Sequence, residues 1–340
     1  MSHSDLERVA AAMVAKGKGI LAADESNATC TKRFEKLGIP STEEHRRAYR
    51  ELLFTTPDVA QWISGVILYD ETIHQKTHDG VPFPDYMTRL GVLPGIKVDT
   101  GAKALAGFAN ETITEGLDGL RERLAAYYKL GARFAKWRAV IDIGAGIPTR
   151  GAIAANAHAL ARYAALCQEQ NIVPIVEPEV LMDGAHTLER CEEVTEATLA
   201  EVFAQLFAAR VHLEGIILKP NMVISGKKCP TQATAEQVAA ATVRCLKRHV
   251  PGAVAGIAFL SGGQTPLEAA LHLSLMNRAG PLPWPLSFSY GRALQDAALS
   301  AWAGKPGNVP AAQKEFQKWA RLNGLARNGS FQAGMEQQAA

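Results

Sequence analysis

Residues 215–222 read GIILKPNM. Ile216, Ile217 and Leu218 are apolar side chains of strand-forming type that run directly into Lys219 and Pro220. A lysine closing a run that is apolar on both faces is expensive to desolvate. Proline ends the run because it brings no N–H to a ladder. The stretch therefore describes a strand buried on both faces that delivers a cation at its C-terminal end, as in a parallel sheet.

Seven other short apolar runs close in the same way on polar or charged residues: GKGILAAD (17–24), WISGVILYD (62–70), VLPGIKVD (92–99), FAKWRAV (134–140), NIVPIVEPEV (171–180), AVAGIAFLSGG (253–263) and PLSFSYGR (285–292). With EGIILKPN (214–221) they make eight. The segments between them carry helical marks. Ser41 with Glu44 is a capping-box pattern; Leu199, Val202, Phe203, Leu206 and Phe207 form a stripe at helical spacing; Thr265-Pro266-Leu267-Glu268 sets an N-cap, a first-turn proline and the box glutamate in order. Strands alternating with helices predict an α/β fold, and eight such units predict a (β/α)8 TIM barrel in a single domain. An open doubly wound sheet would carry a glycine-rich turn after its first strand, where this chain has Ala22-Ala23-Asp24-Glu25. The barrel is expected over residues 1–325, followed by a flexible tail over 326–340 that closes on RNGSFQAGMEQQAA.

The 340 residues are 47% hydrophobic and 21% charged, the composition of a globular protein with a large core. A net charge of +2 is too balanced to argue for nucleic acid or a membrane surface as a partner. With no apolar stretch of about 18 residues and no signal-peptide pattern, a cytoplasmic location is expected. Five scattered cysteines without metal-finger spacing read as free thiols.

Barrel enzymes work at the C-terminal ends of their strands. Asp24, Lys97, Lys136, Arg138, Glu177, Glu179 and Lys219 fall there or on inward-alternating positions nearby. Lys136 with Arg138, and Glu177 with Glu179, each put two like charges on one strand face, and the neighbouring strand supplies the opposite sign. Burial together with Lys136 can lower the proton affinity of Lys219 and free its amine as a nucleophile. A carboxylic acid beside it, Glu177 or Glu179, can move the protons that make and break a C=N bond. Ser261-Gly262-Gly263-Gln264 and Ser289-Tyr290-Gly291-Arg292 each lead into a helix, and exposed amides with an arginine make a phosphate cradle. Leu260–Gln264 also spells the signature peptide of transporter-type ATPases. Those proteins require a G-x-x-x-x-G-K-[ST] loop, which this chain lacks. His74 and His78 share i, i+4 spacing without the carboxylate motif of a zinc enzyme, so a polar surface element is expected there.

GKGILAADES, GIKVD, FAKWR, VPIVEPEV, LKPNMV, FLSGGQ and FSYGRAL, in this order, resemble class I fructose-bisphosphate aldolase from the first residues to about 325. The resemblance implies reversible aldol cleavage of fructose 1,6-bisphosphate to triose phosphates through a lysine Schiff base, without metal or other cofactor, in a homotetramer. It implies that Lys219 is the Schiff-base lysine, Glu177 the acid/base and Glu179 its support. Lys136 and Arg138 would flank the imine, and Asp24 would stand near the C4 hydroxyl. Ser261, Gly262, Gly263, Ser289, Gly291 and Arg292 would hold the C1 phosphate; Ser26, Thr29, Lys32, Arg33 and Lys97 would hold the rest of the sugar and the C6 phosphate. Vertebrate members end in a tyrosine that assists protonation at C3, whereas the last tyrosine here is Tyr290. That step is therefore expected to use another acid or to run more slowly. On the residues alone, a transaldolase-type transferase and a non-catalytic protein on the same fold also stay open.

Overall fold

A computed structural model describes residues 3–338. All eight apolar runs become strands of one closed barrel: β1 Gly19–Ala23, β2 Ile63–Leu68, β3 Leu93–Lys97, β4 Phe134–Ile141, β5 Val173–Val180, β6 Ile217–Leu218, β7 Gly256–Phe259 and β8 Leu286–Tyr290. Each pairs in parallel with its sequence neighbour, and β8 closes onto β1. The two-residue β6 is the shortest, because Pro220 cannot extend the ladder beyond the bond from Lys219 N–H to the Val176 carbonyl, 2.8 Å.

Side chains alternate between two hydrophobic layers. Ile20, Ala22, Ile67, Phe134, Val173, Ile175, Ile217 and Ala258 fill the barrel interior. The helix His3–Met13 plugs the N-terminal end with Leu6, Val9, Ala10 and Met13, and Ser64 Oγ ties it by donating to the Met13 carbonyl, 2.6 Å. The intervening residues, such as Leu21, Trp137, Val176 and Leu218, face the surrounding helices. Continuing the inward series upward gives Asp24 after Ala22, Lys136 after Phe134, Glu177 after Ile175 and Lys219 after Ile217. The fold thus turns a two-residue period into a ring of charges above an apolar plug.

Two helix expectations are corrected. Thr42, not Ser41, caps the helix Glu43–Phe54 by accepting from His45 N–H; the Ser41 hydroxyl is engaged with Thr31 Oγ1, 2.7 Å. In the helix Leu188–Ala208, Leu199, Val202, Phe203 and Leu206 are buried, but Phe207 at the last turn is 83% exposed because the stripe rotates past its neighbours. The box at Thr265 forms as expected. An antiparallel pair, Gly101–Ala104 with Thr112–Glu115, lies outside the barrel and was not anticipated. After the last long helix, Val309–Arg327, the chain runs along Pro266–Arg278: Ser274 Oγ donates to the Phe331 carbonyl, 2.8 Å, and the Phe331 ring is buried. Residues 339 and 340 of the expected tail lie outside the described residues.

Phe134 owes its place in the barrel interior to glycines on the two preceding strands. A Cβ on Gly95 would stand 2.2 Å from its ring, and one on Gly65 2.9 Å. Gly95→Ala is expected to lower unfolding free energy by about 1–3 kcal/mol through overpacking. Urea denaturation should also find partial recovery in the double variant with Phe134→Leu.

Candidate active site

A cavity of ≈ 440 Å³ opens at the C-terminal mouth of the barrel. Its floor is ionic. Lys136, Glu177 and Lys219 are 5%, 3% and 3% exposed. Lys219 Nζ lies 3.2 Å from Glu177 Oε1, and Lys136 Nζ lies 3.2 Å from Glu177 Oε2. Lys136 also donates to Asp24 Oδ2 at 2.9 Å. Glu177 therefore stands between the two ammonium groups, and Lys136 bridges two carboxylates. Arg138 pairs with Glu179 on the rim. By backbone register Arg138 faces Glu177, yet each cation reaches a carboxylate two residues further along β5. Tilted barrel strands offset side chains that stand at one height.

These pairs decide which charges are permanent. Burial works against the Lys136 ammonium, but Asp24 and Glu177 outweigh it and hold the group well above the usual lysine range. Burial likewise works against the Asp24 carboxylate, and Lys136, then Lys219 and Lys97, hold it well below the usual carboxylate range. Lys97 extends the positive wall and lies 3.6 Å from Asp99.

Ser26, Thr29 and Lys32, after β1, line the cavity. Ser26 caps the helix Asn27–Glu35, and Lys32 is an exposed ammonium on its last turn. Arg33 lines the same wall, but its guanidinium is committed to Glu25, Asp296 and Gln295. Glu25 is also paired with the buried Arg50, 3.0 Å, so two arginines brace the turn that follows β1. Sequence reading missed Glu25 and Lys36, both on the cavity wall.

Ser261, Gly262, Ser289, Gly291 and Arg292, at or after the ends of β7 and β8, line the same cavity. Gly262 and Gly263 have φ of +51° and +76°, a left-handed turn that side chains disfavour. Gly263 adjoins the cavity under the Arg292 guanidinium. The Ser289 hydroxyl is buried and, among the described residues, has no partner. Gln264 closes the turn by donating to the Ser261 carbonyl, 2.9 Å, while its own amide oxygen accepts from His272 Nδ1–H, 2.6 Å. All the residues predicted from sequence thus converge on one concavity or its edge. A second concavity of ≈ 480 Å³, between Arg150–Glu169 and Leu188–Ala208, has no buried charge set: its Arg190 and Glu193 are 39% and 70% exposed.

The family model for fructose-bisphosphate aldolase class-I matches residues 5–340. The chain belongs to the class I fructose-bisphosphate aldolase family. A probable fructose-bisphosphate aldolase class 1 of Xanthomonas axonopodis pv. citri is 60% identical over 97% of this chain and 99% of that relative. Fructose-bisphosphate aldolase C of Rattus norvegicus is 53% identical over 96% and 91%. The solved fructose-bisphosphate aldolase of Plasmodium falciparum superposes with a TM-score of 0.96 at 47% identity, covering 97% and 96% of the two chains. The protein is a carbon–carbon lyase of glycolysis that acts on phosphorylated sugar through a Schiff base. Among the described residues no helix is long and apolar enough to cross a membrane.

The brace behind the glycine turn gives a pH prediction. Burial pushes the His272 imidazole down from 6.5 to about 4. The unfolded chain then binds the extra proton between those values, so stability present above pH 6.5 is lost as pH falls towards 4. His272→Gln, scanned by thermal unfolding, should flatten this acid limb while raising KM for the bisphosphate by loosening the turn.

Proposed function

We propose that Lys219 is the imine-forming lysine and Glu177 its acid/base in the reversible cleavage of fructose 1,6-bisphosphate. The observation that carries this is the Glu177 carboxylate, 3.2 Å from both Lys219 and Lys136 at the base of a cavity lined by further cations.

The deprotonated Lys219 amine attacks the C2 carbonyl, and Glu177 delivers the proton with which the C2 oxygen leaves as water. Lys136, kept charged by Asp24 and Glu177, is the fixed cation that stabilises the oxygen while it carries negative charge. The protonated imine withdraws electrons as the C3–C4 bond breaks and the C4 hydroxyl gives up its proton. Asp24 is held ionised, so its part is to accept a hydrogen bond from that hydroxyl and orient it. Glu177 receives the proton. Glyceraldehyde 3-phosphate departs, the enamine takes a proton at C3, and water releases dihydroxyacetone phosphate. Arg138 and Glu179 hold the rim above the imine.

The C1 phosphate is assigned to Ser261, Gly262, Gly263, Ser289, Gly291 and Arg292, and the C6 phosphate to Ser26, Thr29, Lys32 and Lys97. Arg33, already neutralised by carboxylates, supports that wall. Binding at both ends holds the scissile bond over the lysine. Family membership also supports a homotetramer in the cytoplasm, which light scattering and fractionation test.

Borohydride added with dihydroxyacetone phosphate should fix one triose on Lys219, found by peptide mass spectrometry. A label on another lysine contradicts the assignment. Lys219→Met should lower kcat by about 10⁴-fold or more, and Glu177→Gln by about 10²–10⁴-fold. EDTA should leave turnover unchanged.

A further inference from the structure

Lys227 has no part in the site described above, yet its ammonium reaches it. A Cβ placed on Gly263 would meet Lys227 Nζ at 2.6 Å and Arg292 Nη2 at 3.4 Å. The two cations converge on the space left open by the missing side chain. Like charges brought this close repel unless an anion stands between them. The carboxylate paired with Lys227 is Asp183, at 3.2 Å, itself 66% exposed. Arg292 has no hydrogen bond or ion pair through its side chain among the described residues.

The lysine's position is set by backbone. Its own N–H donates to the Met182 carbonyl at 2.7 Å; the flanking Gly226 and Lys228 N–H groups donate to the carbonyls of His186, 2.8 Å, and Gly184, 3.0 Å. This contact is so close that a Cβ on Gly226 would lie 2.3 Å from the Gly184 oxygen. The segment after β6 is thereby stapled to the segment after β5. It begins at Lys219 and presents Lys227 at the far side of the glycine turn.

We propose that Lys227 is a specificity-determining cation of the C1-phosphate pocket, with Asp183 as its counter-ion in the free enzyme. Phosphate entering the cradle meets Arg292 on one side and Lys227 on the other, and takes the place of Asp183 as the partner of the lysine. A dianionic phosphate is favoured at this end over a neutral hydroxyl, and dihydroxyacetone phosphate over dihydroxyacetone. The proposal rests on the assignment of the C1 phosphate to this end of the cavity.

Steady-state kinetics in the condensation direction separate the possibilities. Lys227→Gln should raise KM for dihydroxyacetone phosphate about tenfold, with kcat within about twofold and KM for glyceraldehyde 3-phosphate unchanged. The inhibition constant of inorganic phosphate against dihydroxyacetone phosphate should rise in parallel, and Lys227→Arg should recover most of the loss. Lys228→Gln removes the same charge one residue away and should change neither KM. Equal effects of the two glutamine variants, an effect on glyceraldehyde 3-phosphate alone, or no change in Lys227→Gln would overturn the proposal. Arg292→Gln reads the underlying assignment separately: a raised KM for dihydroxyacetone phosphate there without a Lys227 effect refutes this proposal only, and no rise there refutes the assignment itself.

Discussion

The Lys136 ammonium holds together two carboxylates that arrive from opposite sides of the barrel. Asp24 follows β1 and Glu177 lies on β5, four strands away in a ring of eight, and Lys136 on β4 lies within 3.2 Å of both. Each of these charges, taken singly, would be too costly to bury. Lys136 and Asp24 hold each other charged, and the three groups fix one another's position. Glu177 is thereby held against Lys219 with one oxygen while the other faces the permanent cation. A carboxylate shared by two buried lysines, one of which is held in its charged form, is a direct consequence.

That ionic layer depends on what lies beneath it. The inward apolar residues and the plug formed by His3–Met13 fill the barrel below the charges, and the cavity opens above them. Glycines at 65 and 95 let Phe134 fill the interior directly below Lys136. The two sides of the cavity are built differently. On one side the helix Asn27–Glu35 offers Ser26 at its cap and Lys32 on its last turn, with Arg33 and Arg50 tied up in bracing Glu25. On the other a left-handed Gly262–Gly263 turn, braced by Gln264 and His272, leaves its surface open to cations.

Much of this was legible in the sequence because burial on both faces leaves a simple trace. A parallel strand covered by helices outside and by a filled barrel inside must read as a continuous apolar run, so eight runs announced eight strands. The charges in FAKWRAV, NIVPIVEPEV and EGIILKPN recur about one βα unit apart, so residue spacing alone brings Lys136, Glu177 and Lys219 together from adjacent strands, and Asp24 closes the run GKGILAAD at the same mouth of the barrel. Loops carry no such period. That Glu25 would clamp two arginines, that His272 would reach back to Gln264, and that Lys227 would stand over Gly263 all depend on loop conformation, which residue spacing does not specify. Phe207 and Ser41 were misjudged for a related reason: periodicity marks a face or a cap without revealing where the neighbouring element stops or which hydroxyl is already engaged.

The interdependence of the buried charges is measurable by a double-mutant cycle on Lys136→Met and Asp24→Asn, following urea unfolding of all four proteins. A shared ion pair at 2.9 Å across the barrel mouth predicts that each single variant is more destabilised than independence allows. The double variant should then recover a coupling free energy of about 1–3 kcal/mol. Effects that add within about 0.5 kcal/mol would mean that Lys136 and Asp24 do not hold each other, and would contradict the ionic floor on which this site is built.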